Sequence, residues 1–221
     1  MGFGPVFRLI PHLQSLEFTE EGAPGTASLA AILTGLVACP GLVTLSLQCK
    51  ADGQLMGPRA ETQVVQGMSR LASLRELTVG ANFRLSASAC SSILAGLTAL
   101  KRLDAGRASL MACVLAPGLA HLTSLSHLDL GGNILFQGGT TEVTITQIVT
   151  FASCLSSLTK LKALNLSSNS LSNNCLGSGA LESLRQSFPP SLTILSLNSV
   201  FASPEVMALV VPGLGRLTNL R

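Results

Sequence analysis

The chain has 221 residues, 47% hydrophobic and 11% charged, with a net charge of +3. That length suits one large domain or two small ones. The positive charge is spread along the chain with no basic block, which argues against nucleic acid or an anionic membrane surface as a partner.

Taken in chain order, residues 1–7 (MGFGPVF) lack the charged leader and long apolar run of a secretory signal. Val6 stands where a myristoylation signal beginning at Gly2 wants Ser or Thr. Phe7 and Ile10 read as the tail of a helix that leads into a tetrad of the form L-x-x-L-x-L, here Leu13-Leu16-Phe18. Residues 23–49 carry no charge and are long enough to span a bilayer by hydropathy alone. Pro40-Gly41 breaks that run, and Leu42-Leu45-Leu47 is the second tetrad, so the segment is read as helix, turn and buried strand.

Further tetrads follow at Leu74-Leu77-Val79, Leu100-Leu103-Ala105, Leu125-Leu128-Leu130, Leu161-Leu164-Leu166 and Leu192-Leu195-Leu197, and Leu220 opens another. The alternation within each tetrad has a period of two, as in a strand with one buried face. The segments between them must bring the chain back beside its previous strand. Apolar residues recur in these returns at three, six and nine positions before each tetrad. Examples are Leu71 and Leu122, Met68 and Leu119, and Leu33, Val65 and Val211. That spacing marks one face of a helix. Gly35, Gly67, Gly118 and Gly213 share the seventh position back, where neighbouring helices are expected to approach closely. Helices are expected to start at Thr26, Gly57-Pro58, Ser86, Thr141 and Ser203-Pro204. The unit from Leu125 is long and should carry an extended loop around residues 135–143, and Pro117 should limit the helix of the short unit from Leu100.

The stretches LTSLSHLDLGGNIL and LTKLKALNLSSNSL resemble leucine-rich repeats in their fuller form, L-x-x-L-x-L-x-x-N-x-L. The long units with helical returns resemble the ribonuclease-inhibitor type, which is also found in NOD-like receptors and in the GTPase-activating protein for Ran. The resemblance covers essentially the whole chain. It implies an α/β horseshoe of about seven units, with a parallel sheet on the concave side and helices on the convex side. The family's asparagine is present as Asn82, Asn133 and Asn169, while Lys50, Ala108 and Val200 take its place elsewhere. In the family that amide bonds the backbone between units, so its absence puts the regularity of those turns in question.

The six cysteines, Cys39, Cys49, Cys90, Cys113, Cys154 and Cys175, form no metal-ligand spacing and read as free, small hydrophobes. Free thiols point to a reducing, cytoplasmic setting. No nucleophile elbow, zinc-protease, P-loop or dinucleotide motif is present, so no catalytic residue, cofactor or metal is assigned. Asn165-Leu166-Ser167 matches a glycosylation sequon but lies inside a predicted strand. Outward strand positions carry most of the remaining information. Charge and polarity concentrate at Arg75, Glu76, Lys101, Arg102, Asp104, His127, Asp129, Lys162 and Asn165, which are expected to form one surface for a protein partner.

The expected function is therefore a non-catalytic interaction scaffold. Its alternative is the sensor region of an immune-type receptor or a GTPase regulator. Residues 1–221 are expected to form a single repeat domain cut from a longer solenoid, with uncapped ends that fray or self-associate.

Overall fold

The computed structural model describes every residue except 1–3, 21–25, 50–56, 81–84, 138–140, 172–178 and 202. Asn82, Lys50, Cys175 and the centre of the predicted 135–143 loop lie outside the described residues.

Strands and helices alternate along the described chain. The strands are β1 (Ser15–Glu20), β2 (Thr44–Cys49), β3 (Glu76–Val79), β4 (Arg102–Asp104), β5 (His127–Asp129), β6 (Ala163–Asn165) and β7 (Ile194–Ser196). The helices are α1 (Gly4–Arg8), α2 (Thr26–Gly35), α3 (Pro58–Met68), α4 (Ala87–Gly96), α5 (Ala112–Leu119), α6 (Thr141–Ser157), α7 (Ala180–Ser187) and α8 (Pro204–Val210). All seven strands pair in parallel in sequence order, β1 to β7. Each tetrad's middle leucine is in register with the next: Leu16, Leu45, Leu77, Leu103, Leu128, Leu164 and Leu195 form one row across the sheet. Between β2 and β6 that row is at most 2% exposed.

The helices start where the sequence places them. Ser86 and Ser203 cap α4 and α8 by accepting the Ala89 and Val206 N–H groups, and Gly57 precedes Pro58 at the start of α3. The uncharged run 23–49 divides into α2, a 3-10 turn at Leu36–Ala38, and β2. Among the described residues no helix is long and apolar enough to cross a membrane.

The helix faces differ from the sequence reading at two places. Val65 is half-buried and Val211 exposed, whereas Val64 and Val210, one residue earlier, are buried. A helix turns 100° per residue, so a one-residue offset moves a side chain from the core to its border. Pro117 lies inside α5, which continues two residues beyond it. A proline costs the helix one backbone bond and here does not end it.

Gly67 is placed so that a Cβ would overlap the carbonyl of Leu33 in α2. A Cβ on Gly118 would lie 2.8 Å from Leu94 Cβ in α4. These glycines let consecutive helices pack closely. Even so, packed helices need about 8–10 Å, while paired strands need about 4.8 Å. A stack with strands on one side and helices on the other must therefore curve, with the sheet inside.

Candidate partner-binding face

The exposed side of the sheet is organised in columns, because every strand sits in the same register. One column holds Glu76, Arg102, His127, Ala163 and Ile194. Two residues further along the strands, a second holds Thr78, Asp104, Asp129, Asn165 and Ser196. A third column precedes the strands. There the Lys101 N–H donates to Arg75 O, Ser126 N–H to Lys101 O, and Lys162 N–H to Ser126 O, each at 2.8 Å. All nine residues singled out in the sequence thus fall on three adjacent columns of β3 to β6.

Five of them, Arg102, Asp104, His127, Asp129 and Asn165, line one groove of about 160 Å³, floored by Leu103, Leu128 and Leu164. Arg75, Glu76, Lys101 and Lys162 do not line it. They belong to its β3 edge and its N-terminal rim. Small residues keep the centre open, with Ala163 beside His127. The Ser126 hydroxyl donates to Lys101 O and lies 2.9 Å from His127 Nδ1.

The polar residues that close each strand also do structural work. The Gly106 N–H donates to Asp104 Oδ1 at 3.2 Å, Gly131 N–H to Asp129 Oδ1 at 2.8 Å, and Ser167 N–H to Asn165 Oδ1 at 3.0 Å. One turn is thus closed in the same way in three consecutive units. The Asn165 amide reaches back to both oxygens of Asp129 at 3.0 Å. Beyond the strand ends, Gly106, Arg107, Gly131, Gly132, Ser167 and Ser168 extend this edge into a second depression. The sequence reading missed these residues. The signal that could have found them was the i+2 and i+3 spacing from Asp104, Asp129 and Asn165.

Deeper in the same turns, Asn133 accepts the Leu110 N–H and donates to Ala105 O and Leu130 O. Asn169 repeats this one unit later, accepting the Leu135 N–H and donating to Leu130 O and Leu166 O. Each buried amide ties the backbones of two successive units. The fold is a leucine-rich-repeat solenoid. Where the repeat has Ala108 in place of the asparagine, the turn keeps its shape, because Arg107 N–H donates to Gly131 O as Gly132 N–H does to Ser167 O.

No protein-family model and no curated protein matches the sequence. Among solved structures, the chain is similar to an internalin from Listeria monocytogenes, at 15% identity and a TM-score of 0.44, over 97% of this chain and 62% of that one. It is also similar to the C-terminal domain of tropomodulin from Caenorhabditis elegans, at 17% identity and a TM-score of 0.46, over 69% of this chain and 92% of that one. The chain thus spans 62% of the length of the internalin it matches.

The electrostatics of the face are unusual in one respect. Among the described residues the ion pair present is Arg185–Glu182 on α7, away from the sheet. Glu76 and Arg102 are register partners, yet they form no salt bridge. Burial pushes the His127 imidazole below its ordinary range, helped by the Arg102 and Lys162 cations and opposed by Glu76. The described residues contain no cluster of three metal-ligating side chains.

Proposed function

We propose that the sheet face from β3 to β6 docks a protein partner and that the chain works as a non-catalytic interaction module of the ribonuclease-inhibitor-like type. The observation that carries this reading is the set of charges on the face. Four cations and three carboxylates share adjacent columns without pairing with one another. Exposed charges left unpaired across an open groove are available to an incoming surface of opposite sign. The helical return between every pair of consecutive strands supports the ribonuclease-inhibitor-like subtype.

A reducing, cytoplasmic setting is supported by the thiols. Cys39, Cys90, Cys113 and Cys154 are free, and the Cys90 thiol is pushed up to about 12 by burial and by Glu61, which keeps it protonated and unreactive.

The test is affinity capture from lysate with the wild-type chain and with a Lys101→Gln/Arg102→Gln/Asp104→Asn/Asp129→Asn variant, followed by mass spectrometry. The asparagines keep the strand-end turn, as Asn165 does in its own unit. A protein captured by the wild type and lost with the variant supports the face as the site. Equal capture of every specific protein by both refutes it.

A further inference from the structure

We propose that the occupant of this face is an α-helix lying across the strands, with acidic side chains along one flank and basic side chains along the other. The inference rests on the docking reading above and specifies what the partner must be. Its first support is a bias of sign between the two ends of the strands. Arg75, Lys101, Arg102 and Lys162 lie at the N-terminal ends with one carboxylate, Glu76, among them, and Asp104 and Asp129 lie at the C-terminal ends, with Arg107 just beyond. Two to three residues of strand set these bands about 7–10 Å apart, which suits the two flanks of a helix about 10 Å across.

The second support is that neither band is neutralised by an ion pair within the chain. Among the described residues, the four cations have no side-chain hydrogen bond and no salt bridge. The two carboxylates accept only from neutral donors: the Gly106 and Gly131 N–H groups and the Asn165 amide.

The third support is the spacing. Strands repeat every ~4.8 Å. A helix lying along the stack presents a side chain on one flank every three to four residues, about 4.5–6 Å, and so keeps step with the strands. An extended peptide presents one every two residues, about 6.8 Å, and falls out of step by about 2 Å per strand. Ser126 and Ala163, small residues within the N-terminal columns, leave room beside the cations on β5 and β6.

The probe is a synthetic 18-residue helical peptide with glutamates along one flank and arginines along the other. Two controls are used: the same composition with charges scrambled around the helix, and the same sequence interrupted by a central proline. Binding to the full chain is followed by fluorescence anisotropy at low and high salt, with circular dichroism confirming that each protein variant is folded. The matched peptide should bind roughly tenfold more tightly than either control, the yield of two or three exposed ion pairs, and the preference should shrink in salt. Lys101→Glu/Arg102→Glu should abolish the preference, and replacing the peptide's glutamates with lysines should restore binding to that variant. Equal binding of all three peptides, no binding of the matched one, or a preference untouched by the variants and by salt overturns the helix. If the helix fails while capture from lysate still depends on Arg102, Asp104 and Asp129, the docking reading stands without it. If both fail, the face is not the site.

Discussion

Arg107, Gly132, Ser168 and Ser199 occupy the same place in four units, one residue before the asparagine position, and all four have positive φ, between 54° and 68°. Glycine takes this conformation freely, while a residue with a Cβ is strained there by about 1 kcal/mol. Ser168→Gly and Ser199→Gly are therefore each expected to stabilise the chain by about 0.5–1 kcal/mol, read from the midpoint of urea unfolding. A loss of stability in both would show that the serine side chains contribute more than their backbone strain costs. Ser167 and Ser168 lie on the edge of the candidate site, so Ser199 is the cleaner position of the two. His127 gives a second residue-scale prediction. Its folded midpoint should lie below the ordinary value of about 6.5 in a nuclear magnetic resonance titration, and Arg102→Gln should raise it. A lowered midpoint means that the unfolded chain binds the proton more readily. The contribution to stability is therefore complete above about 6.5 and is lost as pH falls through the folded midpoint. A midpoint at or above 6.5 would remove this dependence.

At the scale of elements, the packing of α3 on α2 depends on Gly67. A Cβ there meets the Leu33 carbonyl, which is backbone and cannot swing aside. Gly67→Ala should destabilise by about 1–3 kcal/mol, as overpacked cores do, even though alanine favours helix. Gly57→Ala, where a Cβ meets nothing within 4 Å, should change stability little. Thermal unfolding of both variants checks this, and equal melting would show that the two helices can move apart without cost. The strand positions were readable from the tetrads because an alternation of two has one solution, with leucines inward. The helix faces were readable only to within one residue. Val64 and Val65 are both apolar, and neighbouring units decide which of them turns inward.

For the whole molecule, burial is uneven along the stack. In the middle row Leu45, Leu77, Leu103, Leu128 and Leu164 are fully buried, while Leu16 and Leu195 at the two ends of the sheet are half-buried. Ile194 is 56% exposed. A repeat unit is covered by its neighbours on both sides, so an outermost unit keeps one apolar side and one strand edge open. Hydrogen exchange on this chain should therefore be fastest in β1 and β7 and slowest in β3 to β6, and sedimentation should show association that grows with concentration. Uniform protection in a monomeric sample would show that the end units are closed by contacts of their own.

By itself the sequence determined the repeat, the parallel sheet, the rows of inward leucines and the membership of the charged columns, because all of these follow from spacing along one chain. Tertiary structure alone decided what those columns do between units. The i+2 bonds from Asp104, Asp129 and Asn165, the reach of Asn165 to Asp129, and the absence of a bond between Glu76 and Arg102 all depend on side-chain directions across neighbouring strands. Spacing places residues in a column, but whether two side chains in adjacent columns satisfy each other or remain open to a partner is fixed only when the units stack.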